Sequence, residues 1–114
     1  MLQLIFRDNR QGENRLIVDI HSHYFRYPDH FSDSFVRQSR RARNGVDVDL
    51  TVRWNEYSAG AVSAAHTVVF GGKARLAGLW VPDHEVAAYA SEHPTCMTAF
   101  MSLDPTQPGW REEM

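Results

Sequence analysis

Two histidines one residue apart, His21 and His23, close an apolar stretch in this chain of 114 residues. Side chains at i and i+2 of a β-strand point to the same face, with their Cα atoms about 6–7 Å apart. Two imidazoles so placed can converge on one ion at the ~2.0–2.1 Å that zinc prefers for nitrogen, with Ser22 pointing the other way. The same spacing also suits two histidines hydrogen-bonded to neighbours at the mouth of a sheet. Position favours the metal, because the pair follows the run 16–20 and active sites in α/β proteins lie at the carboxyl ends of strands. His21 and His23 are therefore read as ligands of a divalent ion, zinc by default and manganese as the alternative.

The remaining candidates are weaker. Lys73 follows Gly71-Gly72 at a strand's carboxyl end and could reach a substrate carboxylate, or be a solvated loop lysine. Tyr24 and Phe25, with Tyr27, could wall a substrate pocket or simply pack. Asp104 precedes a proline, a common turn former that needs no catalytic explanation. His66 and Cys96 fall at strand starts, the wrong end of a sheet, while His84 and His93 lie on or after a helix and His30 in a loop. None of these six is assigned a role.

The elements that must position the pair follow from pattern. Leu16, Ile17, Val18 and Ile20, interrupted only by Asp19, predict a buried strand. Residues 24–45 are rich in aromatics and arginine, with Pro28 and Asp29 marking a turn, and predict a long loop carrying a helical piece over 34–43. Trp54, Tyr57, Ala61 and Val62 recur at helical spacing and predict a helix over 52–64, which Gly60 weakens by about 1 kcal/mol relative to alanine. His66–Phe70 predicts a second strand, ended at Gly71-Gly72 where the backbone needs freedom. Pro82 suits a first helical position, Asp83 and Glu85 suit the positive end of a helix dipole, and Val86, Tyr89 and Ala90 make an apolar stripe. A helix over 82–92 follows, stopped by His93-Pro94, and 96–103 predicts a third strand.

Alternating strands and helices are the pattern of parallel βαβ units, in which crossovers bury both faces of the sheet. The last five residues, 110–114, resemble the opening of a further helix. The chain is thus expected to be a single partial domain, 1–114, that stops inside a unit and leaves an edge and a face for another body.

Composition narrows the partners. A formal charge of -2 gives no electrostatic footprint for nucleic acid. The charge is uneven: residues 1–45 carry eight Arg against five Asp/Glu, and 46–114 carry four Lys/Arg against nine Asp/Glu. Arg37, Arg40, Arg41 and Arg43 would share one side of a helix, as a solvated face or an anion-binding patch. The single Cys96 allows no internal disulfide and fits a reducing compartment. The apolar start, Leu2, Leu4, Ile5 and Phe6, is too short for a signal peptide or a membrane span, so a cytoplasmic protein without membrane contact is expected.

The run Ile17-Val-Asp-Ile-His-Ser-His-Tyr-Phe25 resembles the first strand of the metal-dependent amidohydrolases, in the amidohydrolase-related branch that includes aromatic-acid and carboxymuconate-semialdehyde-type decarboxylases. Val68-Val-Phe-Gly-Gly-Lys-Ala-Arg75, Val81-Pro-Asp83 and Ser102-Leu-Asp-Pro-Thr-Gln-Pro-Gly-Trp110 resemble that branch's next stretch, in the same order. Together they cover most of residues 16–110. The resemblance implies a (β/α)8 barrel, which takes roughly 250 residues, so the chain would be an N-terminal fragment of about three βα units. It implies metal ligation by His21 and His23, with the later ligands and the metal-bound aspartate on strands beyond the third. The implied reaction is hydrolysis of a C–N or C–O bond by metal-activated water, with decarboxylation as the alternative within the branch. Such a fragment is expected to be inactive alone and to take a small-molecule substrate only when completed, by the missing barrel portion or by self-association. A reading from another class is a non-catalytic βαβ module that binds a partner or assembles with itself. A His-X-His phosphoesterase fits the second block less well.

Overall fold

The computed structural model describes residues 16–61 and 63–114, together with the backbone of Gln3–Ile5. It is a mixed α/β structure built on four strands. β1 (Gln3–Ile5) lies antiparallel against β2 (Ile17–His23). β2 then pairs in parallel with β3 (His66–Phe70), and β3 in parallel with a strand at Met97–Phe100. Between them come helix α1 (Asp33–Ala42), helix α2 (Trp54–Gly60), a two-stranded hairpin of β4 (Lys73–Ala74) and β5 (Leu79–Trp80), and helix α3 (Asp83–Ser91), so the strand at Met97–Phe100 is β6. The three parallel strands are those expected. β1 and the β4–β5 hairpin were not, since runs of three and two residues are too short to show a period. Residues 1, 2, 6–15 and Val62, which take in part of the apolar start and one position of the expected helix over 52–64, lie outside the described residues.

Local chemistry sets the helix bounds. Ser32 caps α1, its hydroxyl accepting from the Phe35 backbone N–H at 3.2 Å, with Asp33 in the first turn and Arg40 and Arg41 in the last. α2 has no side-chain cap and stops at Gly60-Ala61, well short of the expected 52–64. β6 is likewise shorter than 96–103. Residues 110–114 form successive turns, not a helix.

The core lies on one side of the sheet. Val69, Val81, Val86, Tyr89, Ala90 and Met97 are buried together, joining β3, the residue after β5, the middle and end of α3, and β6. Thr67 and Val69 alternate inward on β3, and Met97, the partner of Thr67, does so on β6. α2 sits on this same side, because Tyr57 reaches Thr67 and Trp54 stacks on His93 at 4.0 Å between centroids. The other face carries His23, its cross-strand partner Phe70, and Phe100, the partner of Phe70 in turn. Among the described residues it has no helical cover, and Phe100 is 57% exposed. Complete crossovers would bury both faces; among the described residues they cover one. The expectation of a buried strand over 16–20 is corrected. Leu16 is exposed and Ile17, Val18 and Ile20 are half-buried, because neither α1 nor α2 buries a residue of its own against β2.

Candidate functional site

β2 does not end before the histidines. It runs through them, and His23 pairs with Phe70 at the last register position. Asp19 faces Thr67 and Ser22 faces Val69, so three steps on β2 match two on β3. That extra residue is a β-bulge, the device that re-aims side chains beside functional sites. It lets both Asp19 and Ser22 turn to the covered side, where both are buried. Ser22 donates to the Val68 carbonyl at 3.2 Å.

His21 and His23 turn to the open face and meet there, Nε2 to Nε2, at 3.2 Å. The Nδ1 of His23 lies 2.7 Å from the Gly71 carbonyl, which can only accept, so this nitrogen carries the proton. In that tautomer the Nε2 of His23 offers a lone pair toward His21. Two aromatics flank the rings. Phe25 stacks on His23 at 5.1 Å, and the edge of Phe70 contacts His21 at 4.9 Å and His23 at 4.5 Å. His21 is exposed and His23 half-buried.

The spacing of the pair matches that of two nitrogens on one ion. Two bonds of about 2.0–2.1 Å opened to a tetrahedral angle place their nitrogen ends about 3.3 Å apart, against 3.2 Å here. A ligating imidazole is usually oriented by donating its other ring N–H to a carbonyl or carboxylate, as His23 Nδ1 does here to the Gly71 carbonyl. Without an ion the same geometry is an Nε2–H of His21 donating to His23. Among the described residues no cluster of three or more His, Cys, Asp or Glu side chains could hold a metal.

No protein-family model, no curated protein and no solved structure matches the chain. Among the described residues no helix is long and apolar enough to cross a membrane.

Below the pair lies a network that the sequence reading passed over. Asp19 is fully buried; its Oδ1 accepts from the His21 backbone N–H at 3.1 Å and its Oδ2 from the Tyr57 hydroxyl at 2.7 Å. The Tyr57 oxygen is also 2.8 Å from the Thr67 hydroxyl. Burial pushes the Tyr57 pKa up to about 12, with the Asp19 carboxylate adding to the rise. A carboxylate inside a β-branched run was itself a signal, since a buried charge demands partners.

The other candidates are placed as follows. Phe25 stands beside His23. Tyr24 turns away and stacks on Tyr89 at 4.6 Å, in the packing against α3. The Lys73 ammonium is bound at 2.8 Å by Asp83 and at 2.6 Å by Glu113, and its side chain is 8% exposed. Burial opposes its charge, but the two carboxylates together hold its pKa above the usual lysine value. Lys73 thus closes an ion-pair cluster. Asp104 accepts from the Thr106 hydroxyl and backbone N–H and from the Arg75 backbone N–H, an anchor for the turn after β6. His30 is buried, its Nδ1 accepting from the Arg26 backbone N–H and its Nε2 donating to Glu85 at 3.0 Å.

Proposed function

We propose that this chain carries the opening βα units of a metal-dependent amidohydrolase-type barrel, with His21 and His23 as two ligands of a divalent ion, zinc or manganese. The observation that carries this reading is the 3.2 Å meeting of the two Nε2 atoms, with His23 oriented by the Gly71 carbonyl. One-sided cover of the sheet supports it. A (β/α)8 barrel wears its helices outside and turns the other face inward, and here the uncovered face is the one bearing His21, His23, Phe70 and Phe100.

On this reading the ion supplies Lewis acidity, acidifying a water and polarising a carbonyl for hydrolysis of a C–N or C–O bond. The chain's own residues hold and orient. The Gly71 carbonyl keeps the His23 proton on Nδ1, Asp19 fixes the backbone of His21, and Phe25 and Phe70 keep the rings from turning. Two nitrogens make an open, weak site, so activity requires further βα units to supply the remaining ligands and a proton-transferring aspartate. β6, with Phe100 and Met101 exposed, is the edge on which they would dock.

Metal titration tests the reading directly. The purified chain is expected to bind one Zn²⁺ or Co²⁺ with an affinity that falls toward acid pH, because ligating imidazoles must be unprotonated. The His21→Ala, His23→Ala double variant is expected to lose that binding. Equal metal content in the two proteins would remove the site.

A further inference from the structure

A cavity of about 350 Å³ opens between the loop after β2, the β4–β5 hairpin and the first turn of α3. It lies beyond the histidine pair, on the far side of two rings: Phe25 stacks on His23, and Phe31, which lines the cavity, meets Phe25 edge-on at 5.6 Å. We infer that it is a second binding site, for a small organic monocarboxylate.

The walls are built and fixed. The loop and the hairpin are joined by backbone hydrogen bonds, Ser32 N–H to the Gly78 carbonyl at 2.8 Å and Trp80 N–H to the His30 carbonyl at 2.9 Å, and by a bridge between Phe31 and Leu79. Gly78 has a φ of +83, and a Cβ there would lie 2.3 Å from the Ser32 hydroxyl, so the hairpin is pressed against the cap of α1.

Charge selects the ligand. Glu85 is already engaged by Arg26 at 2.8 Å and by buried His30 at 3.0 Å. The guanidinium carbon of Arg75 stands over Trp80, 4.0 Å from the ring centroid, and among the described residues Arg75 makes no ion pair. A guanidinium held over an aromatic ring is oriented by it and keeps paired N–H donors that can grip a planar carboxylate through two parallel hydrogen bonds. Phe31, Leu79 and Pro82 offer apolar wall to the rest of such a molecule. Asp29 and Glu85 are both engaged by Arg26, which leaves Arg75 as the cation of the lining for one carboxylate, while the second charge of a phosphate monoester would stand against Asp29 and Glu85.

Calorimetric titration with phenylacetate, its amide phenylacetamide and inorganic phosphate decides the matter. Saturable binding of phenylacetate is expected, weaker by about tenfold or more for the amide and for Arg75→Met, with Arg75→Lys intermediate because lysine keeps the charge but not the paired donors. Inorganic phosphate is expected to bind less well than phenylacetate. The His21→Ala, His23→Ala variant is expected to bind phenylacetate as the parent does, so failure of the metal reading leaves this site untouched. Equal binding of acid and amide, tighter binding of phosphate, or unchanged affinity in a folded Arg75→Met protein would overturn the site. Loss of binding in the histidine variant would overturn it too, moving the carboxylate to the histidine pair.

Discussion

Gly71→Ala is the sharpest perturbation, because Gly71 joins the packing of the core to the orientation of His23. A Cβ added there would lie 2.5 Å from Val81 Cβ and 2.7 Å from Val81 Cγ1, with Val86 Cγ2 at 3.1 Å. Both valines are fully buried in the core cluster, so neither can step aside. Overpacking of this kind costs about 1–3 kcal/mol. In a domain near this size each kcal/mol moves Tm by about 4–8 °C, so a cost of about 2 kcal/mol lowers Tm by about 8–16 °C. The carbonyl that holds His23 Nδ1 belongs to the same residue, and displacing such an outer partner typically weakens metal affinity about 10–100-fold. Thermal unfolding followed by circular dichroism and titration with Co²⁺ would read both effects. Gly72→Ala is the control: its added Cβ meets only the flexible end of Leu79, at 2.7 Å from Cδ2, and a much smaller change is expected. Combining Gly71→Ala with Val81→Gly, which removes both clashing Val81 carbons, should be less damaging than the sum of the single changes. An unchanged Tm for Gly71→Ala would refute the packing account, and an unchanged metal affinity in a destabilised variant would refute its link to His23.

Three further outcomes follow from the polar network and the ion pairs. Tyr57 ionises at about 12 in the folded chain against an ordinary 10.0, so its contribution to stability is complete below pH 10 and is lost as pH rises toward and through 12; Tyr57→Phe should lack that alkaline loss, and the tyrosinate absorbance difference between the two proteins should appear only near pH 12. The Thr106 hydroxyl and then the Arg75 backbone N–H hold the Asp104 carboxyl below its ordinary 3.8, so the stability it provides is full above pH 3.8 and fades as pH falls through the lowered native value; Asp104→Asn should flatten the acid limb of a Tm-against-pH curve. Lys73→Met leaves Asp83 and Glu113 facing each other without their cation, at about 1–2 kcal/mol in urea unfolding, less than the ~3–5 kcal/mol of a fully buried pair because these carboxylates are 30% and 39% exposed. Adding Glu113→Gln should recover part of that loss.

Reading residues in order recovered the elements whose pattern is long enough to repeat: β3 at its observed bounds, α1 and α3 within a residue or two, and the parallel order of β2, β3 and β6. It missed what depends on contact between distant segments. Nothing in the run around Asp19 could announce that its carboxylate meets a tyrosine 38 positions away, although an acid among β-branched residues should have prompted the search. The Gly71-Gly72 pair was assigned to loop freedom, yet Gly71 needs no unusual φ and is excluded from bearing a side chain by Val81. Lys73 looked solvent-facing because Asp83 and Glu113 lie 10 and 40 positions ahead. His21 and His23 could be paired from spacing alone, but the facing of their Nε2 atoms depends on the bulge in β2 and on the Gly71 carbonyl, neither of which leaves a periodic trace.

The bulge also explains why a charged group could be buried beside an exposed site. In an unbroken strand Asp19, His21 and His23 would share one face, and burying the carboxylate would bury the imidazoles with it. One extra residue between Asp19 and Ser22 breaks that alternation. Asp19 turns into the covered side to meet Tyr57 and Thr67, while His21, bound to it only through the backbone N–H, stays on the open side with His23. The strand thereby splits its labour: the covered face supplies rigidity through a satisfied polar network, and the open face brings the two Nε2 atoms within 3.2 Å of each other. Restoring regular alternation, by deleting a single residue at the bulge, would force a choice between unsatisfied Tyr57 and Thr67 hydroxyls and a separated histidine pair. Either outcome is incompatible with the other's function, and so the local irregularity is the feature of β2 on which the metal reading most depends.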